Sequence, residues 1–185
     1  MSKGRRTPKP EKPPYKRMAE HQHPSSNVSG PQQLLIGRVI VVWSKLENAM
    51  QDTIWQFLRL GMSDGRIITE RMDATTLVRI LRALGNRHLD EPLLGEFLAT
   101  MDRIGDAQED RNFIAHATWG TLLPENVPLG ISLRPKAIPG EVMGETFPSE
   151  RMNATVQQIT TAMDFLVKLM PQIQTLPRKP DEEPA

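Results

Sequence analysis

Three side chains that together can cleave a phosphodiester lie within one short stretch, EDRNFIAHATWG (109–120). Arg111 offers several fixed donors to a phosphate, and the imidazole of His116 can accept or donate a proton. Asn112 lies four residues before His116, so on a helix its amide can neighbour and orient the imidazole. This set suits cleavage of RNA by its own 2′-hydroxyl, in which a base activates the hydroxyl and a cation stabilises the charge that builds on phosphorus.

The stretch falls on a predicted helix that begins with Asp90 as its N-cap. Residues advance by about 100° along a helix, so polar residues of the stretch share a stripe with the apolar residues before it. That stripe holds Leu94, Phe97, Met101, Ile104, Gln108, Arg111, Asn112 and Ala115, with His116 at its edge. We therefore predict that the helix continues through the motif while its apolar face turns polar.

The first predicted helix (31–60) also carries a charged residue, Glu47, on its apolar side. Apolar residues recur there at three- and four-residue spacing, and Glu47 falls among Trp43, Met50 and Ile54 on the apolar side. A buried carboxylate and a buried guanidinium each cost on the order of several kcal/mol unless they are paired. We therefore predict that Glu47 pairs with Arg111 or His116, either as part of a site or as a buried network that fixes packing.

The remaining patterns complete a helical bundle. They predict a short helical turn over 63–72, a helix over 74–85 with Asp73 as N-cap, and a last helix from Ser149, as its cap, to Pro171. Prolines, glycines and short apolar runs between 119 and 147 predict two or three short strands. The expected fold class is all-α, with four to five helices and a small β-containing insert before the last helix.

Composition narrows the class of protein. The formal net charge is +1, and cysteine is absent, which excludes disulfides and thiolate zinc sites and fits a cytoplasmic location. No apolar run approaches the ~20 residues that cross a bilayer, and no secretory signal precedes the domain. No phosphate-binding loop, HExxH, GxSxG or dinucleotide fingerprint is present, and neither a metal nor a cofactor is expected.

The two ends differ from the middle in composition. Residues 1–30 are basic and rich in proline, and such a segment buries too little apolar surface to offset its ordering entropy. We expect this segment to be a disordered tail that either holds a nucleic-acid backbone or only aids solubility. Residues 172–185 are expected to form a C-terminal tail.

The run RNFIAH (111–116) resembles the Rx4–6H motif of the HEPN superfamily, in a comparable setting late in a helix, with the helix VVWSKLENAM upstream and a final helix downstream. The resemblance implies a HEPN-like helical domain over 31–171 that forms a homodimer. It also implies a metal-independent endoribonuclease site. In that site His116 is the general acid or base, Arg111 contacts the phosphate, and Asn112 is the orienting group.

Members of this superfamily occur as toxins and in antiviral defence. By that resemblance, RNA is the expected substrate, and a cognate antitoxin or a nucleotidyltransferase is the expected further partner. Two positions depart from related sequences: Ala117 stands where glycine commonly follows the histidine, and Thr118 stands where some HEPN toxins carry tyrosine.

Two hypotheses follow from these residues. In the first, the chain is a dimeric HEPN-like ribonuclease with Arg111 and His116 as catalytic residues. In the second, it is a non-catalytic HEPN-like binding or assembly module, in which Arg111, Asn112 and His116 are structural or bind a nucleotide. The two differ in the exposure of His116, because catalysis requires the imidazole to reach a cleft or solvent, whereas a structural role requires it to be enclosed.

Overall fold

The computed structural model describes residues 28–122, 127–132 and 143–177. These residues form five α-helices and a three-stranded sheet. The elements in chain order are α1 (Gly30–Leu58), α2 (Met62–Thr69), α3 (Ala74–His88), α4 (Leu93–His116), β1 (Thr118–Leu122), β2 (Val127–Ser132), β3 (Met143–Thr146) and α5 (Ser149–Thr175). The coarse prediction of a mostly helical bundle, with a small sheet before the last helix, is therefore confirmed.

Helix α1 forms the centre of the bundle, because its apolar residues recur often enough to face several neighbours at once. It packs along α5 and also contacts α2, α3 and α4, while α4 packs against α3 and α5. The core between these helices contains large, fully buried side chains from α1, α3, α4 and α5, among them Trp43, Leu46, Met50, Leu81, Phe97, Met101, Ile104, Met152, Ile159 and Leu166.

Two of the helix starts that we predicted from local sequence are confirmed by their capping bonds. Ser29 and Gln32 form a capping box at the start of α1, with Pro31 in its first turn. The Asp73 carboxylate accepts a hydrogen bond from the Thr76 amide at 2.7 Å, as predicted for α3. Both caps use a short polar side chain to satisfy an amide that has no partner within the helix.

Three predicted helix boundaries are wrong. Helix α4 begins at Leu93, with Pro92 rather than Asp90 at its N-cap position, and α5 has Pro148 at that position while Ser149 is already helical. Neither proline has a side-chain acceptor for the first amides of its helix. At α4 the Glu91 carboxylate accepts a hydrogen bond of 3.2 Å from the Gly95 amide instead.

Helix α5 also continues through Pro171 to Thr175 instead of ending before the proline. Proline lacks an amide hydrogen and crowds the preceding turn, so tertiary contacts must hold the turn beyond it. Those contacts are the burial of Ile173, a Gln174–Gln56 hydrogen bond of 2.9 Å and a bond from Arg59 to the Leu176 carbonyl of 2.6 Å.

The sheet is an antiparallel meander in the order β1-β2-β3, with Trp119 opposite Gly130 and Gly130 opposite Glu145. The prediction of short strands between 119 and 147 is confirmed for these segments. The rest of that insert, together with most of the predicted tails (1–27 and 178–185), lies outside the described residues. Among the helices that the structure describes, none has the length and apolar content needed to cross a bilayer.

Candidate functional site

Helix α4 carries the whole motif and ends on it, since His116 is its last residue and only Ala117 separates it from β1. The prediction that the helix continues through Arg111 is therefore confirmed. Arg111, Asn112 and His116 all lie in the final two turns, where the helix leaves the core of the bundle and meets the sheet.

The buried stripe of α4 follows a different line from the predicted one. It runs through Phe97, Met101, Ile104 and Ala107 to Ile114, while Ala115, Asn112 and His116 are exposed. The prediction placed Ala115 on the buried stripe, whereas the structure buries Ile114. Burial of the larger isoleucine side chain removes more apolar surface from water and is therefore more favourable. As a result, the polar residues of the motif face outward, and Arg111 lies at the boundary between core and solvent.

The Arg111 side chain packs against α1. Its guanidinium carbon lies 5.8 Å from the centroid of the Trp43 ring, within the range of a cation–π contact. Its Nη1 donates a hydrogen bond of 3.1 Å to the Oδ1 of Asn112. Its Nε is buried and has no acceptor among the described residues. One end of the guanidinium is therefore paired, and the side that carries Nε is not.

Trp43 shows the same kind of unsatisfied group. The residue is only 1% exposed, and its indole Nε1 has no acceptor in the described part of the chain. The other two tryptophans differ, because Trp55 donates to the Thr69 hydroxyl at 3.1 Å and Trp119 donates to the Ile114 carbonyl at 3.0 Å. A buried N–H without an acceptor costs about 1–3 kcal/mol, so two such groups on contacting residues call for an explanation.

Glu47 lies one helical turn after Trp43 and is half-buried. The predicted pairing is not observed: within the residues that the structure describes, no ion pair joins Glu47 to Arg111 or His116. The reason is that the guanidinium lies on the tryptophan ring and uses Nη1 for Asn112. A carboxylate that keeps part of its surface in water does not require a counter-ion.

His116 is exposed, and it has no hydrogen-bond partner among the described residues. The expected contact with Asn112 is replaced by the bond from Arg111 to Asn112, so the amide orients the guanidinium and not the imidazole. An exposed imidazole meets the condition of accessibility for proton transfer.

A second polar cluster joins α4 to α5 directly beside the motif, and it was not predicted. The carboxylate of Asp110 accepts a hydrogen bond from Arg151 at 2.6 Å and another from the Thr155 hydroxyl at 3.0 Å. Arg151 also lies over the Phe147 ring, with its guanidinium carbon 4.0 Å from the centroid. Arg151 and Thr155 are four residues apart on one face of α5, a spacing that could have pointed to a shared acidic partner.

Three aromatic rings hold the end of α4 against the sheet. Phe113 stacks on Phe147 with centroids 5.6 Å apart, and Trp119 packs edge-on against both rings at 6.1 Å. The space beside Phe113 is filled by the backbone of β2, because a Cβ on Gly130 would lie 2.5 Å from the Phe113 ring. The position of the last turn of α4 therefore depends on the sheet as well as on the bundle.

Nothing in the described ranges groups three or more histidine, aspartate or glutamate side chains in a way that could hold a metal ion. Comparison of the chain with protein families, with curated proteins and with solved structures gave no match. The function of the chain is therefore inferred from the residues of the motif and from their surroundings.

Proposed function

We propose that this chain is a HEPN-like endoribonuclease that cleaves RNA without a metal, at a site formed around Arg111 and His116. The observation that carries the proposal is the exposure of the His116 imidazole at the end of α4, five residues after an arginine whose guanidinium is only partly paired. Cleavage by the 2′-hydroxyl requires a proton-transfer group and a phosphate donor, and the last two turns of α4 carry one of each.

The proposed reaction is a transesterification. A base removes the proton of the 2′-hydroxyl, the 2′-oxygen bonds to phosphorus, and the bond from phosphorus to the 5′-oxygen breaks as an acid protonates that oxygen. The products are a 2′,3′-cyclic phosphate and a 5′-hydroxyl. Arg111 stabilises the negative charge on the phosphoryl oxygens during this step.

Two proton transfers in one displacement are best served by two imidazoles, which supports a site shared by two copies of the chain. In the described residues His88 is the other histidine, and it stacks on Phe57 at 5.8 Å, at the end of α3. Helix α1 also exposes Leu34 (73%) and Val41 (56%), seven residues apart on one face. Exposed apolar side chains in such a stripe suit a contact between copies.

A toxin or antiviral-defence role in the cytoplasm, with a cognate antitoxin or a nucleotidyltransferase as partner, is proposed on the resemblance alone. The second candidate is a non-catalytic HEPN-like module. One observation favours it: Arg111 already has two partners inside the chain, the Trp43 ring and the Asn112 amide. In that case Arg111 stabilises the contact between α1 and α4, and His116 can be replaced without loss of function.

The deciding experiment is incubation of end-labelled RNA with the purified full chain in EDTA, followed by analysis of the new ends. We expect cleavage with a 2′,3′-cyclic phosphate and a 5′-hydroxyl, and we expect His116→Ala to abolish it. Thr118→Ala is the matched control, since Thr118 is exposed two residues further along. Intact RNA after incubation with a folded wild-type dimer would favour the non-catalytic module.

A further inference from the structure

The two buried N–H groups without acceptors, Trp43 Nε1 and Arg111 Nε, belong to residues that contact each other. They are the buried side-chain polar atoms without a partner in the described ranges, and the Arg111 guanidinium carbon lies 5.8 Å from the Trp43 ring. Buried donors in native proteins nearly always have an acceptor. Because both exceptions occur where the two residues meet, they indicate a single acceptor that serves both N–H groups.

The geometry of the guanidinium indicates what kind of acceptor this is. Arginine binds carboxylates and phosphates through two parallel N–H groups, and the edge that carries Nε and Nη2 is one that can do so. In Arg111 the bond to Asn112 uses Nη1, the nitrogen outside that edge. The Nε–Nη2 edge is therefore left for an oxyanion, and the hydrogen bond to Asn112 holds the plane of the guanidinium group fixed.

We infer that Trp43 Nε1 and the Nε–Nη2 edge of Arg111 form an oxyanion-binding site between α1 and α4, and that its ligand is a phosphoryl group. This inference builds on the proposed function, since it adds Trp43 to the residues that would hold the phosphate of the RNA. It assigns the indole a hydrogen-bonding role in addition to its packing role in the core.

The position of the site at the edge of the core fits an anion that enters from solvent. Trp43 is fully buried, Arg111 is half-buried and Asn112 is exposed, so exposure increases across the three residues from the core to the surface. The guanidinium supplies positive charge where the dielectric constant is lower than in water, which strengthens its attraction for an anion.

An internal carboxylate is the main competing acceptor. Glu47 lies one turn after Trp43 on α1 and is half-buried, so rotation of its side chain could bring it to the same donors. Such an arrangement would be a closed ion-pair network with no place for a phosphate. The experiment must therefore separate an external anion from Glu47.

The three tryptophans make the test specific. In protein labelled with ¹⁵N at the indole, each tryptophan gives one N–H signal, and the signals are assigned by Trp→Phe substitutions. Trp55 and Trp119 are internal controls, because their indoles already have acceptors. Inorganic phosphate is titrated at constant ionic strength against chloride, and a single-stranded DNA oligonucleotide, which cannot be cleaved through a 2′-hydroxyl, is titrated separately.

We expect a saturable shift of the Trp43 signal alone, with no effect of chloride and no shift in Arg111→Lys. A response to the oligonucleotide identifies the ligand as a phosphodiester, and a response to inorganic phosphate alone identifies it as a free phosphate or phosphomonoester. Either response supports the site. Trp43→Phe should weaken phosphate binding by about tenfold, because a hydrogen bond to a charged group is lost, whereas Trp55→Phe should not.

Three results would overturn the site: no movement of the Trp43 signal, equal movement of all three signals, or a shift that persists in Arg111→Lys. A Trp43 signal that moves in Glu47→Gln without any added anion, and then ignores phosphate, would identify the carboxylate as the acceptor and would also overturn it. The outcome is distinct from that of the RNA assay. Phosphate binding without RNA cleavage would contradict the proposed ribonuclease activity and support the oxyanion site. RNA cleavage without a response of the Trp43 signal would support the activity and contradict the site.

Discussion

The Asp110 carboxylate accepts a hydrogen bond from the Arg151 guanidinium at 2.6 Å, across the contact between α4 and α5. Asp110 directly precedes Arg111, so this bond fixes the helix at the point where the motif begins. The two side chains are 21% and 24% exposed, and Thr155 adds a second hydrogen bond to the same carboxylate. This cluster therefore anchors the start of the motif to α5, whereas the contact of Arg111 with Trp43 joins the motif to α1.

Replacing Asp110 by asparagine should lower the free energy of unfolding by about 1–3 kcal/mol, because the partly buried Arg151 guanidinium loses the charge of this carboxylate. Urea unfolding of Asp110→Asn measures this loss. Asp102→Asn is the matched control: its ion pair with Arg82 has the same 2.6 Å separation, but the side chains are 75% and 35% exposed. We expect a loss below about 1 kcal/mol there. Equal losses in the two variants would contradict the anchoring role.

Substitution of Arg111 by lysine tests whether the proposed reaction needs the parallel N–H donors of the guanidinium. Lysine keeps the positive charge and loses the two parallel donors. If the proposed ribonuclease activity is correct, the rate of RNA cleavage should fall by about 10²-fold, the usual effect of removing an oxyanion donor. Arg103→Lys, at an exposed position on the same helix, should leave the rate within about twofold. A similar rate in both variants would show that charge alone suffices at position 111.

Asp52 should make the protein less stable at neutral pH than it would be with a neutral side chain. Burial raises the pKa of its carboxyl above the ordinary value, because desolvation penalises the charged form. With a raised folded-state pKa, the destabilisation develops as the pH rises from the unfolded value of 3.8 through the folded one, and it is complete at neutral pH.

We therefore expect Asp52→Asn to be more stable than the wild type at pH 7, with the difference shrinking towards acid pH. Chemical unfolding of both proteins across the pH range gives this difference directly, and any effect of asparagine on helix propensity cancels between pH values. A difference that does not change with pH would contradict the desolvation of Asp52.

Two glycines should respond to alanine in opposite directions. A Cβ on Gly130 would lie 2.5 Å from the Phe113 ring and 3.2 Å from the Ala117 Cβ, so Gly130→Ala should cost about 1–3 kcal/mol through overpacking. Gly37 lies within α1 with nothing near the added Cβ, so Gly37→Ala should stabilise by about 1 kcal/mol through helix propensity. Thermal unfolding of both variants measures the contrast. A neutral Gly130→Ala would indicate that the ring moves freely.

Much of the fold was predictable because it depends on local spacing. Helices α1 and α3 and the course of α4 through Arg111 follow from apolar periodicity, and Asp73 caps α3 as its residue type predicts. The failures have non-local causes. Helix α5 passes Pro171 because the burial of Ile173 holds its last turn, and that contact is invisible in the local sequence.

The site was predictable only in part. The sequence locates Arg111 and His116 on one helix, but a helical wheel treats each helix alone. It therefore could not show that Arg111 lies on Trp43 of α1, or that Asp110 meets Arg151, a residue of α5 that follows the insert in sequence. The position of Glu47 on the apolar side indicated burial and a counter-ion, whereas the structure leaves it half-buried, without an ion pair in the described residues.

The contact between the end of α4 and the sheet has a consequence for how the molecule opens. The last turn of α4 is held by the Trp119 indole on the Ile114 carbonyl and by the rings around Phe113. Separation of the sheet from α4 would release this turn while α4 up to Ala107 and the helices packed against it stay folded. Such a local opening requires less free energy than global unfolding. Amide hydrogens of residues 113–116 should then exchange with solvent together with those of β1, ahead of the core of α4. The protein could lose the geometry of His116 while most of its helical signal remains.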